Sequence, residues 1–295
     1  MTSTLGSDNN NGGIVGPTND AQAASDQVTQ ITASGTYTPV ATTGNVLVVG
    51  GGGPGGQNGG GGGGGGGSIF YPDYPMPGSD LAVVIGGTGA DTEFNDGASA
   101  SLELVAKGGG GGGTQGGGGS GGCGGGGGHQ GNPNNSPGGS STQVPSMPSP
   151  LQPFGFGNAG GTWNGPPSGA GGGGSGGAAT NQNTTGGAAK NFGASPSTSS
   201  DSTFAPYGES GYFAGGGGGA NGTASPGAEG GAGNSNQAAT ANTGGGGGGG
   251  LTPPQSGKAG GSGVVLVHEV ATAQANGVWN MQTAYKWIKA ASWPT

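Results

Sequence analysis

Apolar positions in this chain gather into a few short runs, each with the length and spacing of a β-strand. From Val28 to Tyr37 apolar and polar residues alternate loosely around a Ser34-Gly35 turn, and Gly44-Asn45 then leads into a further strand. Val46-Leu-Val-Val is continuously apolar, as a strand covered on both faces would be. Leu81 to Ile85, Leu102 to Val105 and Val264 to Val267 predict three more, with the turn-rich stretch Gly86 to Gly97 between the first two. These pieces are far apart in sequence, so they predict a small β-cap closed by long-range pairing. A helical period occurs near the end of the chain. Val278, Met281, Tyr285 and Ile288 fall at i, i+3, i+7 and i+10, with Lys286 and Lys289 where a helix dipole favours cations.

Between the apolar runs lie blocks of nearly pure glycine: 50–53, 59–67, 108–113, 116–119, 124–128, 171–174, 215–219 and 244–250. Several strands run straight into a block, as Val49 into Gly50, Lys107 into Gly108 and Tyr212-Phe-Ala into Gly215. Strand and polyproline II backbones are neighbours in φ/ψ space, so an extended chain passes from one to the other without a turn. A polyglycine II helix has no internal hydrogen bonds, and its amides point sideways. Without Cβ atoms, such helices approach closely enough to pair laterally, each bond worth about 1 kcal/mol net. The predicted fold is mainly β and irregular: a small β-cap plus a bundle of polyglycine II helices, with little α-helix beyond a short C-terminal one. Polar, Pro-rich segments at 68–80, 129–168, 178–213, 220–243 and 251–256 are expected as projecting loops. Three regions follow: an extended arm over 1–26, the glycine-rich domain over 27–270, and a Trp-rich docking segment over 271–295.

Composition sharpens this picture. Of 295 residues 85 are Gly and 20 are Pro. Leu, Ile, Val and Phe together number 35, too few for side-chain burial to offset the conformational entropy of the whole chain. An ordered chain of this kind needs its own backbone groups as the cohesive term. The net charge is −8 with no Arg, so no basic patch is available for nucleic acid. No run of 18 apolar residues predicts membrane insertion, and the start of the chain lacks the pattern of a signal peptide. One Cys excludes an intrachain disulfide framework.

Candidate chemistry is sparse. Gly50-Gly-Gly-Gly-Pro-Gly after a strand fits a dinucleotide-loop formula, but Pro54 and a glycine run stand where the helix belongs. Gly257-Lys258 is followed by Ala259 and has Thr252 where a phosphate loop needs Gly. Asp8 opens a calcium-loop-like stretch that lacks an oxygen ligand at position 12 and has Asn19 in place of the Glu. His129, His268 and Cys123 do not form a spaced ligand set; His268 is expected at the surface and Cys123 at an edge of the glycine blocks. Asp91 and Glu93 are expected in a polar turn. No enzyme activity and no cofactor or metal is expected. The loop aromatics Phe70, Tyr71, Tyr74, Phe154, Phe156, Trp163, Phe192 and Tyr207 are candidate receptor contacts, with plugging of gaps around the bundle as the competing role. Trp279, Met281, Tyr285, Trp287, Ile288 and Trp293 are candidate docking residues toward a particle or another subunit.

Ile31-Thr-Ala-Ser-Gly-Thr-Tyr-Thr-Pro, Val46-Leu-Val-Val-Gly-Gly-Gly-Gly, Leu81-Ala-Val-Val-Ile-Gly-Gly-Thr-Gly-Ala, Leu104-Val-Ala-Lys-Gly-Gly and Gly260-Gly-Ser-Gly-Val-Val-Leu-Val together resemble the glycine-rich domain of phage tail-fibre proteins over about residues 28–270. In architecture the chain also resembles the polyglycine II tail-tip adhesins of T-even-like phages, and its ending is similar to C-termini of structural proteins from marine phages. The resemblance implies a virion protein assembled in the host cytoplasm, a tail-fibre or adhesin-like component, homotrimeric, contacting other virion proteins and a host glycan or outer-membrane protein. A capsid decoration, head-fibre or other tail subunit without receptor binding is the alternative. Ice binding is a third reading, without a regular Thr or Ala array to support it. The family has no catalytic residues to carry over, and no coiled coil or shaft repeat accompanies the domain.

Overall fold

The computed structural model describes residues 27–97, 102–129, 135–143, 154–165, 168–195, 199–220, 225–251 and 255–269. The expected arm over 1–26 and the docking segment over 271–295, with its helix and all six of its candidate residues, lie outside the described residues. The described chain is mainly strands and irregular structure, with one 3-10 turn at Ser202–Phe204.

Among the described residues eleven strands form in chain order: β1 Gln27–Ile31, β2 Gly35–Tyr37, β3 Thr43–Val49, β4 Ser68–Pro75, β5 Leu81–Val84, β6 Thr92–Phe94, β7 Leu104–Ala106, β8 Phe154–Phe156, β9 Lys190–Asn191, β10 Tyr212–Phe213 and β11 Val264–Glu269. A five-stranded sheet has the order β1-β11-β3-β4-β8, and a four-stranded sheet the order β2-β5-β6-β7. Every pairing within them is antiparallel. The larger sheet is covered on both faces, which is why β3 and β11 are continuous apolar runs. Val46, Val48, Val265 and Val267 face one core with Leu81, Val83, Phe94 and Leu104 of the smaller sheet. Leu47, Val49, Val264 and Leu266 face a second core with Phe70, Phe192, Phe204 and Phe213.

Strand β4 corrects the expectation of a loop over 68–80. Its two prolines hide it, and the ladder shows how Pro72 is accommodated. Tyr74 pairs with Gly44 and Tyr71 with Val46, so two residues of β4 stand opposite Asn45 alone. At this bulge Asp73 takes a φ of 53°, and its N–H donates to the Asn45 side-chain oxygen at 3.1 Å. Strand β6 was likewise expected as turn; Glu93 lies within it, and Asp91 beside it accepts from Gly108 N at 2.8 Å and pairs with Lys107 at 2.7 Å.

Where the strands end, the chain stays extended and its hydrogen bonds turn sideways with a period of three. Segment 60–67 is buried throughout and lies at the centre. The N–H groups of Gly61, Gly64 and Gly67 donate to Gly113, Gly110 and Lys107; those of Gly62 and Gly65 to Ala170 and Gly173; those of Gly63 and Gly66 to Gly247 and Gly244. Its carbonyls accept in the same rotation, from Gly56, Gly53 and Gly50, from Gly126 and Cys123, and from Gly217. These bonds are 2.7–3.0 Å long. Three donor directions and three acceptor directions mean six neighbouring segments, which is the lateral polyglycine II bundle expected from the sequence. The sheet sets its register. Val49 pairs with Ser68, and the same two chains continue as Gly50 to Gly67, Gly53 to Gly64 and Gly56 to Gly61.

Two further expectations are revised here. Cys123 is not at an edge: it is fully buried, and its thiol donates to Gly66 O at 3.4 Å, the carbonyl that the rotation leaves without an N–H. The supposed loops at 129–168, 178–213 and 220–243 contribute outer segments of the bundle, as in the bonds from Gly139 N to Gly125 O, Gly160 N to Gly139 O and Gly187 N to Gly172 O. An outer segment meets its neighbours on part of its perimeter only, so it tolerates Cβ atoms on the rest.

Candidate functional site

The aromatic candidates separate into core and surface. Phe70, Tyr74 and Phe192 are fully buried and Tyr71 is 7% exposed, so these four cannot meet a receptor. Phe70 lies 6.4 Å from Phe192 and 6.3 Å from Phe204, while Tyr74 packs edge-on against Tyr71 and Phe94. The Tyr74 hydroxyl donates to Leu102 O at 2.6 Å. The physical reason is the glycine bundle itself: it offers no side chains, so aromatics from distant segments must cover the sheet faces. Phe156, Trp163 and Tyr207 remain half-buried. The ammonium of Lys190 covers Phe156 at 4.5 Å, and the Tyr207 hydroxyl reaches Val28 O at 3.4 Å. Phe154 lies in β8, and its side chain falls outside what is described.

Sequence reasoning missed a buried polar cluster beneath the ends of β3 and β11. One Asp201 oxygen meets His268 Nδ1 at 2.6 Å and accepts from Asn45 Nδ2 at 2.8 Å. The other accepts from the backbone and hydroxyl of Thr203 at 2.9 and 2.7 Å. His268 is therefore a buried tie between the sheet and the 199–204 turn, not the surface residue expected. Beside it, Glu269 accepts from the backbone of Val40 and Ala41. No signal in the sequence marks Asp201, which sits 67 positions from His268.

These environments fix the pH response. Burial raises the Asp201 pKa, but hydrogen bonds from Asn45, Thr203 and His268 outweigh it and hold the carboxyl below its usual range. A depressed carboxylate stabilises the fold above the unfolded pKa, about 3.9, and loses that contribution as the pH falls through the folded value. Burial raises the Tyr37, Tyr71 and Tyr74 hydroxyls, and Glu269 adds to the effect at Tyr37. Burial also pushes the Cys123 thiol up to about 12. Raised acids stabilise below their unfolded pKa and lose that contribution as the pH rises past it. Urea midpoints should fall toward about pH 3 as Asp201 protonates and toward about pH 11 as the tyrosines and Cys123 ionise. Asp201→Asn should flatten the acid limb; an unchanged slope there would assign it to other carboxylates.

Glu93, Asp96 and Glu103 bring carboxylate oxygens within 4.8 Å of one another. Burial and the neighbouring acids Asp96, Glu103 and Asp91 raise the Glu93 pKa, as like charges do. Among the described residues no helix is long and apolar enough to cross a membrane.

A two-sheet β-cap whose strands continue into a laterally bonded glycine bundle defines a class of protein held together by its backbone. A family model described as a glycine-rich domain matches residues 30–268, and the chain belongs to that family. A search of curated proteins finds no match to it.

Proposed function

We propose that the chain is a structural protein of a bacteriophage virion, a tail-fibre or adhesin-like part that holds turns and loops toward a host surface. The observation that carries this reading is the polarity of the bundle. The two ends of the described domain leave together at the cap, where Gln27 and Glu269 are register partners. Segments 50–56 and 107–113 run from the sheets and turn at 57–59 and 114–116, away from those ends. Cohesion comes from main-chain bonds along the segments, so the distal turns can vary in sequence without touching either apolar core. Partners on this reading are other virion proteins, through the segments beyond 27 and 269, and a host glycan or outer-membrane protein at the loops. The homotrimer would likewise rest on those outer segments, because segment 60–67 finds all six neighbours within one chain.

Exchanging the distal turns at 57–59 and 114–116 for unrelated turns of equal length should leave the circular dichroism spectrum and melting midpoint near those of the parent. Adsorption of particles carrying the exchange should drop at least tenfold. Unchanged adsorption, with copies spread over the capsid lattice, would replace the attachment role by that of a decoration protein.

A further inference from the structure

The geometry points to a binding site for a neutral sugar on the outer bundle segment 157–163, centred on Trp163. This rests on the attachment reading and names the ligand class that one face of the domain would take.

Trp163 is half-buried, and its indole N–H donates to Gly165 O at 2.7 Å. Its backbone forms both bonds of a bridge to Ser136. The ring is therefore held before any ligand arrives, which lowers the ordering cost of stacking. The residues on either side of it are clamped by the turn at 180–183. Thr162 N donates to Asn181 Oδ1 at 2.9 Å, Asn164 N donates to Gln182 Oε1 at 3.4 Å, and Gln182 N returns to Thr162 O at 2.9 Å. Asn183 Oδ1 accepts from Thr185 N at 2.9 Å. In each of the three exposed carboxamides the oxygen is committed to the backbone, and the NH2 group has no partner among the described residues. Gln182 holds this display at a φ of 57°, a conformation that a non-glycine residue adopts only where its surroundings impose it.

Two carboxamides, those of Asn181 and Gln182, are thus tied to the residues on either side of the indole, and an aromatic ring with amide donors held on the same segment matches the two faces of a pyranose. The C–H face of the sugar packs on the indole, and its hydroxyl oxygens accept from the carboxamides. Charge narrows the class. From residue 108 to residue 189 the chain has no Asp, Glu, Lys or Arg, and all of these groups lie in that stretch. The stretch itself supplies no Lys or Arg to pair with a sulfate, phosphate or uronate, and burying such a charge unpaired is costly. The ligand is a neutral hexose or N-acetylhexosamine unit of a surface polysaccharide.

The test uses the full chain, titrated calorimetrically with maltoheptaose, mannopentaose and chitopentaose, and with polygalacturonate as the charged control. At least one neutral oligosaccharide should bind and polygalacturonate should not. Gln182→Glu keeps the oxygen that clamps Asn164 and removes the donor, so the fold should persist while affinity falls at least tenfold. Trp163→Ala should abolish binding, and Trp163→Phe should retain part of it. No binding of any neutral oligosaccharide, or binding indifferent to both Gln182→Glu and Trp163→Ala, overturns the site. Cell adsorption of the same variants separates the two ideas. Sugar binding lost with adsorption intact leaves attachment standing on another surface; sugar binding intact in a protein that never adsorbs removes the attachment role and keeps the site.

Discussion

Gly62→Ala should cost the domain about 4 kcal/mol or more, a large share of the roughly 5–15 kcal/mol by which folded domains are ordinarily stable. Gly62 lies in the middle of segment 60–67, and a Cβ built there falls well inside contact distance of the Gly217 carbonyl. Gly217 is itself fixed, its N–H donating to Gly63 O and its carbonyl accepting from Gly172 N. Ordinary overpacking costs 1–3 kcal/mol because side chains can shift. Here the carbonyl is backbone and the Cβ is fixed rigidly to backbone, both within a hydrogen-bonded lattice, so relief requires breaking bonds in two segments. Gly35→Ala is the matched control, because nothing lies within 4 Å of a Cβ at that position. It should change stability by no more than about 0.5 kcal/mol. Urea midpoints of the two variants read the difference directly. Equal midpoints would mean that the lateral bonding of the central segment is not what holds the domain.

Phe70→Ala should destabilise by about 3–5 kcal/mol, the range for removing a buried aromatic ring. Phe70 is fully buried at the centre of the second core, stacked on Phe192 and edge-on to Phe204. These partners come from the 190–204 region, which the ring ties to β4. Denaturant unfolding measures the loss, and Tyr207→Ala, at a half-buried site, should cost clearly less. The pair also separates packing from recognition. A receptor contact at Phe70 would give normal stability and poor adsorption; the core position predicts the reverse order, with folding failing first.

The strands that sequence made legible are those buried on both faces. Val46 to Val49 and Val264 to Val267 read as continuous apolar runs because each lies between two cores. Strand β4 was illegible because Pro72 argues against a sheet interior, and the bulge that admits it depends on the Asn45 side chain of the neighbouring strand. The bundle was legible in its pure glycine blocks. Its outer segments were not, since a chain bonded on one side needs glycine only at the phases that face inward. The Trp163 ring was visible in sequence as a candidate, but the carboxamides at 181–183 were not, because their role depends on which way each oxygen is committed. Asp201 and His268 show the same limit: a pair separated by 67 positions carries no local pattern.

The pairing of Gln27 with Glu269 has a consequence beyond orientation. Residues opposite one another in an antiparallel ladder stand about 5 Å apart, no wider than the mouth of a tight hairpin. A stretch of nearly 250 residues thus occupies, for whatever chain carries it, the footprint of a surface loop. A piece with that geometry joins a recipient chain at two adjacent points, so the recipient's framework need not open to admit it.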